Sequence, residues 1–403
     1  MNKIITILGI SIYFLLSLNS VFGTSYIYEL NEKNKQSSVA TFSDASFEFE
    51  SLAQVLMEKD TGQIIYAHNE EEEMLPASVT KLMTLLLIME RIDNGSLSYD
   101  DKVVCSKNAQ EMGGSQIWFE EGEELTIEEA LKAICIVSAN DVTVAMAEMI
   151  GGSESNFVAM MNDKAKELGM NNTQYMNSHG IDEEGHHTCA KDQALLAREL
   201  LLKHPDVTKF TSIWTDELRG GETVLNSTNK LIRFYDGATG LKTGFTSLAM
   251  YNLVGSATRG NTTYISVIMH APSSDVRLQE TRTLLDYGFQ NFENKKVVSK
   301  EDEISQIEVD KSLGVSIVAY PEDDIFVLAQ KGSKDEYETK VEMVEDISAP
   351  VLSGDVLGKI DVICNDKIID SINLVSKDEV MRKSFTDYFE FLYKKIFLSS
   401  IWC

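Results

Sequence analysis

The chain has 403 residues, 43% of them hydrophobic, so it is long and apolar enough to bury a sizeable core. Its formal net charge of -27, with no long basic block, argues against a protein that holds nucleic acid by electrostatic attraction. Five cysteines in a chain of this size are too few for a disulfide framework to hold the fold together.

The first 23 residues have the pattern of a secretory signal peptide. Lys3 precedes an apolar run over residues 4–18, and the small residue Gly23 follows it. The run is too short to cross a membrane comfortably as a helix. We therefore expect export, cleavage after Gly23, and a polar lead-in over residues 24–49.

A hairpin and then a buried helix are predicted next. Residues 53–58 and 63–68 are apolar segments on either side of a tight turn, which favours two antiparallel strands. Pro76 suits the start of a helix, and Asn94 and Gly95 suit its end. The residues between them are apolar nearly all round, so this helix is predicted to lie in the core.

This helix carries a possible nucleophile and its base. Ser78 and Lys81 are three positions apart, so their side chains share one face and can meet. A serine hydroxyl needs a neighbouring base, and a lysine serves only where burial or another cation favours its neutral form. A second Ser-x-x-Lys pattern, Ser227 to Lys230, lacks the apolar helix and is predicted to be a polar loop.

A second helical region follows. Thr126 and Glu129 form a capping-box pattern before a helix that runs to about Val137, and residues 142–150 resume helical spacing. The segment between them offers the hydroxyl of Ser138 and the amide of Asn140. Taken alone, this pair is explained equally well by helix capping.

Three adjacent antiparallel strands and a helix are predicted to close an α+β domain over residues 50–291. Lys242, Thr243 and Gly244 lie on the first of these strands, where a glycine lets a substrate backbone approach closely. The helix is predicted from about Arg277 to Tyr287.

The end of the chain has a different pattern. Residues 292–376 are predicted to form a small all-β domain of short strands separated by charged turns. Residues 377–403 are predicted to form an amphipathic helix with aromatic side chains on one face and basic residues beside it. Such a helix suits a membrane surface, although docking on its own domain is an alternative.

Ser78-x-x-Lys81, Ser138-x-Asn140 and the Lys-Thr-Gly run at Lys242, in this order, resemble the signature of penicillin-binding proteins and serine β-lactamases. The fuller runs around Ser78 and Lys242, and residues 180–186, resemble the low-molecular-weight D-alanyl-D-alanine carboxypeptidases. The similarity covers about residues 49–291. It implies a penicillin-binding fold, an antiparallel sheet flanked by helices, followed by the β-rich domain and the amphipathic helix.

The resemblance also implies a mechanism that needs no metal or cofactor. Ser78 would attack the carbonyl between the two terminal D-alanines of a peptidoglycan stem peptide, and Lys81 would accept its proton. Ser138 would relay a proton toward the leaving amine. The backbone N–H groups of Ser78 and Phe245 would form the oxyanion hole.

The remaining residues of the signature would bind the substrate. Asn140 would hold the substrate amide, while Lys242 and Thr243, beside Gly244, would bind the terminal carboxylate. Lys242 would also help to keep Lys81 neutral by like-charge repulsion. β-Lactams are implied as covalent inhibitors, and the membrane surface is implied as the partner of the terminal helix.

Three alternatives remain open at this stage. A class A β-lactamase needs a deacylating glutamate, for which Glu167 in a Glu-x-x-x-Asn pattern is the candidate. A zinc carboxypeptidase would use His179, His186 and His187, although these lack a helical ligand spacing. A non-catalytic penicillin-binding sensor or wall scaffold would not need both Ser78 and Lys81.

Overall fold

The computed structural model describes residues 45–394 and residue 396. The described chain forms two compact units. The first runs to Lys295 and takes in Val327–Ser333, and the second comprises Lys296–Phe326 and the chain from Lys334 onward. The predicted signal peptide and nearly all of the lead-in lie outside the described residues.

Helices and strands are both present in the described chain. The α-helices are α1 (Lys81–Asp93), α2 (Lys107–Gln110), α3 (Ile127–Lys132), α4 (Asn140–Gly151), α5 (Glu154–Glu167), α6 (Ala190–Lys203), α7 (Thr208–Thr211), α8 (Leu231–Phe234), α9 (Ser274–Asn291) and α10 (Phe385–Tyr393). The strands are β1 (Ala53–Glu58), β2 (Ile64–His68), β3 (Lys102–Val104), β4 (Glu124–Thr126), β5 (Thr215–Leu218), β6 (Thr223–Asn226), β7 (Ala238–Thr246), β8 (Met250–Arg259), β9 (Thr262–Ala271), β10 (Phe292–Val298), β11 (Ser305–Glu308), β12 (Ser316–Pro321), β13 (Ile325–Gln330), β14 (Tyr337–Met343), β15 (Val356–Cys364) and β16 (Lys367–Ser376). Short 3-10 segments cover Ala77–Thr80, Pro205–Val207 and Arg219–Gly221, and a π-helical turn covers Ala133–Val137.

The centre of the first unit is a five-stranded antiparallel sheet in the order β2-β1-β9-β8-β7. Alternation along β1 sends Val55 and Met57 to one face and Leu56 to the other. The first face packs on a layer of helices that includes α1, α4 and α6, and the second face packs on α9. The predicted hairpin and the three predicted adjacent strands are confirmed.

Helix α1 is buried on all sides from Lys81 to Met89, as its composition predicted. Its start differs from the prediction, because Ser78 lies in a 3-10 turn rather than in the first α-helical turn. The preceding residue, Ala77, has a left-handed backbone with φ of 48°. This unfavourable conformation at a non-glycine residue sets the direction in which Ser78 leaves the turn.

The second unit contains an antiparallel sheet in the order β11-β12-β16-β15-β14, which confirms the predicted all-β domain. Helix α10 then begins at a capping box formed by Ser384 and Asp387, and not at residue 377 as predicted. Phe385 is 84% exposed and Phe389 is 64% exposed. Within the described chain, no helix combines the length and the apolar character needed to cross a membrane.

Gly180 lies directly against the 3-10 turn that carries Ser78. It has φ of +92°, and a Cβ atom at this position would collide with the carbonyl oxygen of Ala77. Gly185 has nearly the same φ, +86°, but a Cβ atom there would meet only the flexible side chains of Met176, at 3.6 Å, and Gln174, at 3.9 Å. The two glycines therefore have similar backbone conformations, but only Gly180 lacks room for a Cβ atom.

We predict that Gly180→Ala destabilises the protein far more than Gly185→Ala. The left-handed backbone costs about 1–2 kcal/mol for alanine at either position. The collision with Ala77 should add about 1–3 kcal/mol at Gly180 alone. Urea unfolding of the two variants measures both quantities, and equal losses of stability would contradict the close packing of the 180 loop on the Ser78 turn.

Candidate active site

The side chains of Ser78 and Lys81 meet, as their spacing predicted. Lys81 Nζ lies 3.0 Å from Ser78 Oγ, and it also lies 2.7 Å from Asn140 Oδ1 and 2.6 Å from the carbonyl oxygen of His179. The Lys81 side chain is fully buried, while Ser78 lines an open cleft. The fold thus places an amine behind the hydroxyl and fixes it with two carbonyl-type oxygens.

Burial changes the charge of the two lysines. It lowers the pKa of Lys81 well below its usual value, and the nearby Lys242 lowers this pKa further, while Asp141 opposes the shift. Burial also lowers the pKa of Lys242 to about 7, with a smaller contribution from Arg277. Repulsion from Lys242 therefore acts on Lys81 in the predicted direction, but burial is the larger cause.

The segment after the π-helical turn places Ser138 and Asn140. Ser138 has a left-handed backbone with φ of 63°, and its buried Oγ has no hydrogen-bond partner among the described residues. Asn140 begins α4 instead of lying before the helix as predicted. Its Nδ2 donates to Gly113 O at 2.7 Å and its backbone N–H donates to Ser115 O at 2.7 Å, so the amide orientation is fixed.

Strand β7 forms the other wall of the cleft. Lys242 is buried in it and donates from Nζ to Thr243 O at 3.0 Å. A Cβ atom on Gly244 would lie 2.8 Å from Pro76 O and 3.1 Å from Ser78 N, so only glycine lets this strand pass so close to the turn.

The cleft has a volume of about 240 Å³. It contains five of the residues proposed from the sequence, which are Ser78, Ser138, Thr243, Gly244 and Phe245. The buried side chains of Lys81, Asn140 and Lys242 do not line the cleft. Four lining residues were not anticipated as part of the site, which are Ser115, Thr228, Tyr251 and Arg277.

Arg277 is the most informative of these four residues. Its guanidinium donates to Asn252 O at 3.1 Å and lies 5.6 Å from the centre of the Tyr251 ring, while its buried Nε has no partner among the described residues. The sequence contained a signal for it, because Arg277 is in helical phase with the buried Thr281 and Leu284 of α9. Arginine is rarely buried unless its charge is paired, so an arginine on the buried face of a helix indicates that it binds a specific partner.

Thr228 belongs to the second Ser-x-x-Lys pattern. That segment is a loop, as predicted, but it lies beside the cleft, where Thr228 Oγ1 is 2.7 Å from Thr243 Oγ1. Nothing in the spacing of the pattern indicates this position, since the loop reaches β7 only through the tertiary fold.

The residues on which two alternatives depend do not line the cleft. The Glu167 side chain is 65% exposed and forms an ion pair with Lys164 at 2.7 Å, at the end of α5. His186 has both ring nitrogens engaged, one near Thr80 Oγ1 at 2.9 Å and the other accepting from the Met176 N–H at 3.2 Å. Across residues 45–394, no three His, Cys, Asp or Glu side chains are grouped so that they could hold a metal ion.

Comparison with known proteins agrees with this geometry. The profile of the family described as D-alanyl-D-alanine carboxypeptidase matches residues 38–273. The profile described as penicillin-binding protein 5, C-terminal domain, matches residues 292–382. D-alanyl-D-alanine carboxypeptidase DacF of Bacillus subtilis is 39% identical over 343 residues, which cover 84% of this chain and 88% of that protein.

Solved structures share the fold. Penicillin-binding protein 5 from Haemophilus influenzae is 30% identical with a TM-score of 0.72, covering 84% of this chain and all of that one. Penicillin-binding protein D2 from Listeria monocytogenes, solved in its ampicillin-bound form, is 30% identical with a TM-score of 0.56, covering 61% of this chain and all of that one. The resemblance found in the sequence is confirmed: the chain belongs to the D-alanyl-D-alanine carboxypeptidase family of serine peptidases.

Proposed function

We propose that this protein hydrolyses the bond between the two terminal D-alanines of peptidoglycan stem pentapeptides through an acyl-enzyme on Ser78, and so remodels the cell wall. The observation that carries the proposal is the environment of Lys81, whose amine has three oxygen neighbours within 3.0 Å. Family membership supports the reaction, and the residue roles below are our assignment from the geometry.

The hydrogen bonds of Lys81 suit a base. A neutral lysine amine has two N–H groups and one lone pair. Asn140 Oδ1 and His179 O can only accept, so they take the two N–H groups and leave the lone pair directed at Ser78 Oγ. The lowered pKa of Lys81 favours this neutral form.

Acylation then proceeds with every proton assigned. Ser78 Oγ attacks the carbonyl carbon as its proton passes to Lys81 Nζ. The C–N bond breaks as that proton passes from Lys81 through Ser138 Oγ to the leaving amine, which returns Lys81 to its neutral form. That buried hydroxyl has no hydrogen-bond partner among the described residues, so it can bond to the leaving nitrogen of a bound substrate. Water hydrolyses the resulting ester and restores Ser78.

The oxyanion is assigned to the backbone N–H groups of Ser78 and Phe245. The close passage of Gly244 over the Ser78 turn supports this pairing, because it brings the two backbone segments to one side of the cleft. Removing one donor of such a pair typically costs on the order of 100-fold in rate.

The terminal carboxylate of the substrate is assigned to Lys242, Thr243 and Arg277. Thr243 and Arg277 line the cleft, and Lys242 lies behind them in the same wall. The two cations, Lys242 and Arg277, and the Thr243 hydroxyl suit a carboxylate. The amide of the substrate is assigned to Asn140, on the opposite side of the cleft. The same set of groups accepts the carboxylate and amide of a β-lactam.

We also propose that the protein is exported and held at the outer face of the cytoplasmic membrane by α10. The signal-peptide pattern at residues 1–23 supports export. The exposed Phe385 and Phe389 support contact with a lipid surface, and Arg382 and Lys383 nearby suit anionic headgroups.

Ser78→Ala should abolish both reactions of the site, since the nucleophile is lost. We expect D-alanine release from a peptide ending in D-Ala-D-Ala to fall by about 1000-fold or more, and the covalent penicillin adduct to disappear. Ser227→Ala, in the second Ser-x-x-Lys pattern, is the matched control and should retain both. Equal release by the parent and Ser78→Ala would refute the serine mechanism, and an adduct without release would favour a sensor.

The KM for the peptide should depend on the charge of Lys242. Because its pKa is about 7, Lys242 loses its proton as pH rises through this value and no longer attracts the substrate carboxylate. We expect KM of the parent to rise above pH 7, by about tenfold in total for one ion pair. In Lys242→Gln, KM should be high and nearly constant from pH 6 to about 9, and a difference between the two proteins that does not shrink with pH would contradict this role.

Contact of α10 with lipid can be tested by two substitutions one residue apart. Phe385→Asp and Thr386→Asp add the same carboxylate to the first turn, but only the first removes an aromatic ring from the exposed apolar face. Loss of one buried aromatic, about 1.5–3 kcal/mol, predicts at least tenfold weaker binding for Phe385→Asp. Co-sedimentation with vesicles containing anionic lipid measures it, and equal effects of both substitutions would argue for charge alone.

A further inference from the structure

Asn252 lies on β8 next to the Ser78 turn, and the mechanism above gives its side chain no role. The residue is fully buried, so it cannot touch a substrate in the cleft. In the sheet it is paired with Gly244 of β7, whose backbone passes close to the turn. A buried polar side chain at this point must find its hydrogen-bond partners within the protein.

The amide nitrogen of Asn252 binds the chain that leads into the Ser78 turn. Asn252 Nδ2 donates to Leu75 O and to Pro76 O, both at 3.0 Å. An amide nitrogen has two hydrogens, so these two bonds use both of them. The Val79 N–H also donates to Pro76 O, but at a longer 3.4 Å. The Asn252 side chain therefore holds the two residues through which the chain enters this turn.

The amide oxygen of Asn252 is held at an irregularity in the sheet. The pairing of β8 with β9 shifts between Tyr251 and Leu253, and His270 of β9 has a left-handed backbone with φ of 57°. The His270 N–H donates to Asn252 Oδ1 at 2.8 Å. Because an N–H group can only donate, this bond identifies the oxygen of the amide and leaves the nitrogen for the two carbonyls. The irregularity thus aims the side chain at the turn, as bulges beside active sites do.

Asn252 joins the two backbone segments to which the oxyanion hole is assigned. Its backbone pairs with β7 at Gly244, one residue before Phe245, and its side chain holds the segment before Ser78. The space between these segments is tight, since a Cβ atom on Gly244 would lie 2.8 Å from Pro76 O, the same oxygen that Asn252 binds. Oxyanion donors work at about 2.7–3.1 Å, so a small change in this spacing would weaken them.

Resting on the proposed function, we infer that Asn252 is a positioning residue that sets the spacing of the oxyanion hole. It acts through the backbone of Ser78 and Phe245, and it touches neither the substrate nor the reacting atoms. Its effect is specific to the transition state, because the oxyanion forms only when Ser78 attacks, whereas the walls of the cleft bind the substrate before that step.

Asn252→Asp in the full chain tests the inference with almost no change of shape. The new carboxylate still accepts from the His270 N–H, but it cannot donate to Leu75 O and Pro76 O, and it repels both. For a peptide ending in D-Ala-D-Ala, we expect kcat and kcat/KM to fall together, on the order of 100-fold, with KM nearly unchanged. Rates are counted per site that penicillin labels at completion, so that unfolded protein does not contribute.

A transition-state mimic supplies a second readout. A peptide boronic acid bonds to Ser78 Oγ and forms a tetrahedral anion, with one oxygen in the oxyanion hole. We expect Asn252→Asp to weaken its binding on the order of 100-fold, in step with the loss of kcat. A residue that served only the stability of the fold would leave this affinity unchanged at the sites that remain folded.

Asn162→Asp is the matched control. Asn162 Nδ2 donates to Val158 O at 3.0 Å and to Tyr175 O at 2.8 Å, and its Oδ1 accepts from the Tyr175 N–H at 2.8 Å. The same substitution therefore breaks the same kinds of bond, among residues that do not line the cleft. We expect Asn162→Asp to lose stability but to keep the kcat and the boronic acid affinity of the parent at each labelled site.

Asn252→Ala keeps the test open if a buried carboxylate prevents folding. It removes both donors without adding a charge, and we expect kcat/KM to fall by about tenfold or more. Boronic acid affinity should again fall with it.

Three results would overturn the inference and leave the proposed function intact. The first is parental kcat per labelled site in either folded Asn252 variant, and the second is a loss of kcat with unchanged boronic acid affinity. The third is a failure of both variants to fold, which would assign Asn252 to stability alone. Failure of the parent to release D-alanine would instead reject the proposed function, and this inference with it.

Discussion

The site depends on one buried amine, Lys81, and the oxygens that hold it. Each partner comes from a different part of the fold: Ser78 from the 3-10 turn before α1, Asn140 from the start of α4, and His179 from the loop packed on that turn. Because the two carbonyl-type acceptors have no proton to give, Lys81 must donate to both of them, and this fixes the orientation of its amine. The helices and the sheet hold these three segments so that each of them contacts Lys81 Nζ.

Such an arrangement lowers stability. Shifting the pKa of Lys242 from its usual 10.5 to about 7 costs on the order of 4 kcal/mol at pH 7, and burial of Lys81 acts in the same direction. The sign follows from proton binding, since the unfolded lysine holds its proton up to a higher pH than the folded one. The penalty is therefore full below pH 7 and disappears above pH 10.5. Helix α1 is buried from Lys81 to Met89, and its apolar surroundings keep water away from the Lys81 amine, which makes the charged form costly. The burial of the apolar side chains of α1 also stabilises the fold and so offsets this penalty.

Local patterns in the sequence predicted the regular helices and strands of this protein. The apolar segment that forms β1, the apolar helix after Ser78 and the capping box at Thr126 each follow from the local sequence, and together with the three motifs they indicated the fold class and the family. Arg277, Thr228 and Tyr251 were not recognised as part of the cleft, because their positions depend on which elements pack beside β7. The predicted starts of α1 and α4 were wrong for a related reason. A residue with a left-handed backbone lies shortly before Ser78, and another lies shortly before Asn140.

The residues with a left-handed backbone near the cleft have one physical effect in common. Ala77, Trp118 and Ser138 have φ between 48° and 63°, a conformation that non-glycine residues rarely adopt, and each lies at or beside the cleft. A regular helix would direct every side chain by its own period, whereas a single left-handed residue turns one group outward or inward independently of its neighbours. The buried hydrogen bonds of Asp141, Asn140 and Lys81 hold these conformations in place. Polar groups buried at the site thus do two things: they set the charge of Lys81, and they fix the backbone that presents side chains to the cleft.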